Sequence, residues 1–244
     1  MRCLVFRLYG GMASWGEAAT GEVRRTAPYP GRSAILGLVA AALGIPRTDQ
    51  QRLDVLDASV SIAVKQVSPG ELIQDYHTTQ VPGRDRKQWR MTRRDELERP
   101  KEQLHTILSM RDYRCDGCWM VAVSVEEQTP WGCEAMQEAL RYPAFALFLG
   151  RKSCPLGAPL APQIVEAAGI QEALSTDFDP VTPLASEEEA WRMGRTGQVV
   201  YAWEGDGGDI EPQETRFPFD QSVSRSPWQF TSRPEHWQQT SEDT

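Results

Sequence analysis

A cluster of positive charge is the feature of this sequence whose residue types point most directly to a chemistry. In the segment Gln80–Arg94 (QVPGRDRKQWRMTRR), one acid stands among six cations, namely Arg84, Arg86, Lys87, Arg90, Arg93 and Arg94. Between His77 and Arg114 there are ten Lys and Arg residues, Arg111 among them, and six Asp and Glu residues, although the whole chain has a net charge of −8. Arginines next to an aromatic residue such as Trp89 suit a phosphate backbone and its bases. The pattern favours a nucleic-acid-binding arm, and an exposed charged loop is the alternative.

Two further segments have the residue types of a phosphate site. Pro30-Gly31-Arg32-Ser33 precedes an apolar run, and a cap at Ser33 would leave helix amides free beside Arg32, with Arg24 and Arg25 shortly upstream. A plain helix cap is the alternative reading. Gly150-Arg151-Lys152-Ser153 follows another apolar run and combines a permissive turn residue with two cations. It lacks the GxxxxGK[ST] spacing, so nucleotide hydrolysis is not supported.

Residues for catalysis or metal binding are present but isolated. Tyr76, His77 and His105 could support metal-free RNA cleavage by acid–base chemistry, and a structural histidine is the alternative. Cys115 and Cys118 form a CxxC pair, but no second pair completes four zinc ligands. We therefore expect no catalytic residue, no metal and no cofactor.

The composition is that of a soluble globular protein. The 244 residues are 40% hydrophobic and 25% charged, and no apolar run approaches the ~18 residues of a membrane span. Five cysteines form an odd set, which is typical of reduced thiols. We read the N-terminal MRCLVFRLYGG as a strand and not as an export signal, so we expect a cytoplasmic protein.

The elements that must position these residues follow an alternating order. We expect a strand, a helix, two strands, a helix and a strand at Cys3–Leu8, Ser33–Leu43, Ser59–Lys65, Trp119–Val125, Gly132–Arg141 and Ala144–Leu149. This β-α-β-β-α-β order predicts an α+β protein with a ferredoxin-like fold of the RNA-recognition type. The join between the second and third strands spans about fifty residues and contains the basic arm, and so long a loop inside a compact domain is usually functional or disordered.

Additional elements are expected outside this core. The loop after the first strand carries Trp15, which can either stack on a base or lie in the core. Val165–Leu174 reads as a short helix, and Gln198–Glu204 and Glu214–Phe219 read as strands. The last dozen residues are polar and are expected to fray.

Four segments together resemble one protein family. LYGGMASWG, YPGRSAILGLVAAALGI, QDYHT and LGRKSCPLGAPL occur in the order found in the CasD family, which belongs to CRISPR-associated protein family five. The similarity covers most of Met1–Leu160, with a weaker match at FTSRPEHW (Phe230–Trp237). The resemblance implies a ferredoxin-like palm, a long β-hairpin thumb inserted between its second and third strands, and a small β-rich C-terminal region. We accordingly expect a palm at residues 1–160, interrupted by the thumb at 77–114, then the β-rich region at 161–230 and a polar tail at 231–244.

The resemblance also implies a function. Members of type I-E systems grip the 5′ handle of the guide RNA (crRNA), cap the backbone filament of the Cascade surveillance complex and neighbour the large subunit that reads the protospacer-adjacent motif. A separate subunit cuts the precursor RNA in those systems, whereas type I-C relatives cut RNA with a tyrosine, a histidine and a lysine. We therefore expect a non-catalytic crRNA-binding subunit that meets target DNA through the complex. A metal-independent endoribonuclease and a stand-alone RNA-binding module are the alternatives.

The expected RNA contacts come from all of these segments. They are Arg24, Arg25, Arg32, Ser33, Tyr76, His77, Arg84, Arg86, Lys87, Arg90, Arg111, Arg151, Lys152 and Ser153.

Overall fold

The computed structural model describes residues 1–16, 21–83, 91–126, 129–181, 197–224 and 229–241. Its helices are α1 Arg32–Ala42, α2 Gln50–Ser59, α3 Arg93–Leu97, α4 Cys133–Arg141 and α5 Ile170–Ala173, with a 3-10 turn at Lys101–Gln103. Its strands are β1 Arg2–Gly10, β2 Val23–Arg24, β3 Val60–Ser68, β4 Glu71–Pro82, β5 Leu104–Cys115, β6 Gly117–Val125, β7 Gln163–Glu166, β8 Gln198–Trp203, β9 Glu214–Arg216, β10 Gln221–Ser224, β11 Gln229–Thr231 and β12 Glu235–Ser241. The α+β class is confirmed. No helix in these ranges is long and apolar enough to cross a membrane.

A seven-stranded sheet in the order β7-β1-β6-β3-β8-β12-β9 organises the chain. All of its neighbouring strands are antiparallel. Alternate residues of the central strands face opposite sides, as the pleat requires. On β6, Val121 and Val123 join the core that contains α1 and α4, whereas Ala122 joins a second core with Tyr201 and Trp203. Because both faces of the central strands are buried, their sequences are almost continuous apolar runs.

The long join between β3 and β6 forms a separate ribbon. Strands β4 and β5 pair over twelve residues, from Glu71 opposite Cys115 to Pro82 opposite Leu104. The short strand β2 adds to β5 in parallel, with Arg24 paired to Arg111. The described parts of the basic segment, residues 80–83 and 91–94, thus lie at the far end of a β-hairpin whose root meets the main sheet.

Most expected elements are confirmed, but the strand expected at Ala144–Leu149 is wrong. That segment contains only an isolated bridge, between Phe148 and Pro155. Its first amides, those of Ala144 and Phe145, donate to carbonyls at the end of α1. The edge position beside β1 is instead taken by β7, which overlaps the first two residues of the helix expected at Val165–Leu174. Within that range the helix itself is shorter, at Ile170–Ala173.

The expectation of a frayed polar tail is also wrong. Residues 235–241 form β12, which pairs with β8 over six residues and with β9 over three. Backbone hydrogen bonds on both sides hold this strand although its sequence, EHWQQTS, has little apolar character. Strands β8, β12 and β9 continue the main sheet beyond β3.

Candidate nucleic-acid interface

The root of the hairpin brings together cations that lie far apart in the sequence. The amide of Met110 donates to the carbonyl of Glu22 at 2.9 Å, which holds β2 beside β5. The pairing places exposed Arg24 next to half-buried Arg111, and Arg25 follows as a second exposed cation.

The loop at Gly150 delivers a further arginine to the same place. Gly150 has a φ of +84°, and a Cβ at this position would lie 1.9 Å from the carbonyl oxygen of Ser14. Only glycine allows this approach. The next residue, Arg151, stands over the ring of Tyr113 with 4.8 Å between guanidinium carbon and ring centre. Its Nη2 donates to the carbonyl of Arg24 at 3.3 Å. The structure therefore brings Arg24, Arg111 and Arg151 together, with Lys152 and Ser153 exposed beside them.

Several of these guanidinium groups have hydrogen-bonding capacity left. Within the described residues, Arg111 Nε, Arg114 Nε and Arg151 Nη1 are buried and have no hydrogen-bond partner. Burial also lowers the pKa of Arg114. A buried N–H without an acceptor is costly. These three atoms are closed to a ligand in this arrangement, so a phosphate would be bound by the exposed parts of the guanidinium groups. Arg111 and Tyr113 share one face of β5, whereas Arg114 lies on the other, so the anion site we consider is the face with Arg24, Arg111 and Arg151.

Arg32 is the first correction to the expected site. Its guanidinium is buried and bonds to the carboxylates of Asp57, at 3.0 Å, and Glu204. It also donates to the backbone carbonyls of Asp57 and Val60. Arg32 is thus committed to holding α1, α2 and the start of β3 together, and it is not free to bind a phosphate.

The helix N-terminus beside Arg32 is the second correction. The N-cap is Gly31, and no side chain caps the helix, so the cap expected at Ser33 is wrong. A Cβ built on Gly31 would lie 2.7 Å from Asp220 Oδ2. Asp220 therefore already places a carboxylate at the positive end of α1, where the sequence predicted a phosphate.

A buried ionic network that the sequence did not reveal surrounds this helix end. Arg233 binds both oxygens of Asp220, at 2.8 and 3.1 Å, and one oxygen of Glu235, at 2.6 Å. It also lies 3.2 Å from Glu204, without hydrogen-bond geometry. Although burial alone would lower it, the bonded Asp220 and the charges of the three carboxylates raise the pKa of Arg233. Arg233 and Glu235 fall in the FTSRPEHW match, which was the available signal. We infer a structural role for them.

The three residues considered for catalysis, Tyr76, His77 and His105, do not come together. Tyr76 pairs with Met110 and His77 with Ser109, so these neighbours lie on opposite faces of the ribbon. His105 shares the face of His77 but stands four residues from Ser109 along β5, about 13 Å away at 3.3 Å per residue. The groups cannot act on one scissile bond in this arrangement. Among the described residues, no group of three or more His, Cys, Asp and Glu could hold a metal.

The structure describes only two of the six cations in the basic segment Gln80–Arg94. Arg84, Arg86, Lys87 and Arg90 lie outside the described residues, so their roles stay predictions. Arg93 and Arg94 lie in α3, where exposed ion pairs join them to Glu96, at 2.6 Å, and Glu98, at 2.8 Å. Trp15, for which base stacking was one option, is buried edge-to-face against Trp119 at 5.1 Å.

Comparisons with known proteins agree with the resemblance seen in the sequence. The CRISPR system Cascade subunit CasD of Escherichia coli (strain K12) is 34% identical over 178 residues, which cover 73% of this chain and 77% of that protein. A chain of a CRISPR RNA-guided surveillance complex has the same fold, with a TM-score of 0.65 and 24% identity over 98% of this chain and 90% of the other. A second structure, described as a crystal structure of Cas protein, has a TM-score of 0.55 and 22% identity over 98% and 94% of the two chains.

The family model described as CRISPR-associated protein (Cas_Cas5) matches residues 3–233, which is nearly the whole chain. The chain belongs to this CRISPR-associated Cas5 family.

Proposed function

We propose that this protein is the non-catalytic subunit of a type I-E CRISPR surveillance complex that holds the 5′ handle of the crRNA. The observation that carries the proposal is the cluster of Arg24, Arg111 and Arg151 at the root of the hairpin, where Arg24 is exposed and Arg111 and Arg151 are half-buried. Single-stranded RNA would supply phosphates to these groups. Membership of the Cas5 family and the similarity to a Cascade subunit support the choice of RNA.

We interpret the two parts of the fold in the same terms. Strands β7, β1, β6 and β3 with α1 and α4 form the ferredoxin-like palm, because the chain visits them in the order β-α-β-β-α-β. The β4–β5 hairpin is the thumb. In sequence, Arg84, Arg86, Lys87 and Arg90 fall between its two strands, and they extend the contact along the RNA or against the neighbouring backbone subunit. Arg25, Lys152 and Ser153 border the cluster. The complex acts in the cytoplasm and reaches target DNA through the guide.

The Arg111→Ala/Arg151→Ala double variant tests the cluster. We expect reduced crRNA retention and a log–log salt dependence of binding that is shallower by about 1.4, at about 0.7 for each lost contact to a single strand. The measurement is a filter-binding titration of the complex at several salt concentrations. Arg2→Ala is the matched control, because this arginine is half-exposed, is paired with Glu134 and lies at the end of β1 away from the hairpin root. An unchanged affinity and salt slope in the double variant would remove the basis of the proposal.

A second variant tests the cations in the sequence between β4 and β5. Replacing Arg84, Arg86, Lys87 and Arg90 together by alanine should lower crRNA retention or weaken assembly of the complex, since four cations are lost from one segment. RNA content and subunit composition of the purified complex report both effects. If the RNA content and the subunit composition both stay the same, these four cations bind neither RNA nor a partner subunit.

A further inference from the structure

A cleft on the protein has no role in the RNA site described above. It has a volume of about 670 Å³ and lies between the segment leading into α1 and the segment that follows β9. Its aromatic walls include Tyr29, Phe217, Phe219 and Phe230. Phe217 and Phe219 are 67% and 59% exposed, which is unusual for phenylalanine in an isolated protein.

The floor of the cleft is acidic. Asp220 and Glu235 line it, and both belong to the network of Arg32 and Arg233. That network contains four carboxylates, Asp57, Glu204, Asp220 and Glu235, for two guanidiniums. It therefore has an excess of two negative charges when every group is ionised. Each carboxylate oxygen also has two lone pairs, so Asp220 and Glu235 can accept more hydrogen bonds than Arg233 and Tyr29 donate.

Among the described residues that line the cleft, the cation is Arg216, and it does not offset this negative charge for a ligand. The guanidinium carbon of Arg216 lies 3.8 Å from the ring centre of Trp237 and its Nε bonds to Glu214. A phosphate entering the cleft would meet the excess negative charge, whereas a cation would be attracted by the carboxylates and by the aromatic faces. The chemistry of the cleft is thus opposite to that of the arginine cluster.

We propose that this cleft receives an arginine or lysine side chain of another protein subunit of the surveillance complex. The aromatic walls bind the aliphatic stem and the face of the charged group, and the acidic floor supplies acceptors. This contact is separate from RNA binding, so a failure of the arginine-cluster experiment leaves it untouched, and the reverse also holds.

Photocrosslinking identifies the occupant. p-Benzoylphenylalanine is placed at Phe219, the full complex is assembled with crRNA and irradiated, and the crosslinked product is mapped by mass spectrometry. We expect a crosslink to a peptide of another subunit, with an arginine or lysine within about three residues of the attachment point, about 10 Å of extended chain. A crosslink to RNA, to a peptide without a basic residue, or to nothing would overturn the proposal.

Conservative variants then separate a cation site from a merely apolar one. Phe219→Tyr keeps an aromatic face, whereas Phe219→Leu keeps only apolar surface. We expect the tyrosine variant to bind the identified subunit within about twofold of the original protein and the leucine variant to bind it about tenfold more weakly, which is about 1.4 kcal/mol. Phe145→Leu, at a position 48% exposed and outside the cleft, is the control. Equal binding by the leucine and tyrosine variants of Phe219 would show that no cation is recognised.

Discussion

Replacing Arg32 by alanine should destabilise the fold and leave the RNA-binding surface in place. The guanidinium is about 8% exposed and contacts two carboxylates and two backbone carbonyls. Its loss would leave Glu204 and Asp57 partly unpaired and would increase the excess of negative charge in the network. Removing one partner of a buried ion pair costs about 3–5 kcal/mol.

Urea denaturation followed by tryptophan fluorescence measures this loss. With a denaturant dependence of about 2–3 kcal/mol per molar, the unfolding midpoint of Arg32→Ala should fall by about 1–2.5 M. Arg151→Ala is the contrasting variant, because the stacking of Arg151 on Tyr113 contributes only about 0.5–1 kcal/mol. Its midpoint should change little while RNA retention falls. The reasoning is refuted if Arg32→Ala keeps its midpoint and loses RNA, since Arg32 would then act as an RNA ligand.

Three further variants test other parts of the structure. Gly150→Ala should reduce RNA retention as much as Arg151→Ala in the same titration, because its Cβ cannot coexist with the carbonyl of Ser14; retained binding would show that the loop adapts. Burial raises the pKa of Glu204 above its ordinary 4.5, so the folded state holds this proton more tightly and stability should fall as the pH rises from 4.5 through the raised pKa. Thermal melts should show a smaller fall of this kind in Glu204→Gln, and an identical pH dependence would contradict the assignment. His77→Ala should leave precursor processing unchanged, and the original protein should not cut labelled repeat RNA in EDTA; cleavage that depends on His77 would favour the nuclease.

The sequence predicted the elements whose signals are local. Helix α1 has an unbroken run of helix formers closed by Gly44-Ile45-Pro46, and β1, β3 and β6 are apolar runs long enough to cross a sheet. The strand expected at Ala144–Leu149 failed because its apolar residues suit a strand while its first amides cap α1 instead. Helix α2 was missed, although the cap at Asp49 and the buried pair Leu53 and Leu56 are local signals for it.

The candidate site was predictable only in part, because its geometry depends on contacts between residues that lie far apart in the sequence. Arg151 and Arg24 were recognised as cations, but their meeting depends on Gly150 and on the pairing of β2 with β5. Arg32 looked equally suitable, and its carboxylate partners lie 25 and 172 positions away in the chain. A single sequence does not show which distant acid will neutralise a given cation. Residue type therefore predicted the kind of ligand, and tertiary contacts decided which arginines are free to bind it.

The position of β12 has a consequence for how the protein is made. Strand β8 pairs with β3 across about 140 residues of sequence, and its other edge pairs with residues 235–241. During synthesis, β8 therefore waits with unpaired amides and carbonyls until β12 leaves the ribosome. Arg233 and Glu235, which complete the network around α1, emerge just before it or with it. Such non-local pairing makes folding slow, and it delays the native sheet until residues 235–241 have left the ribosome.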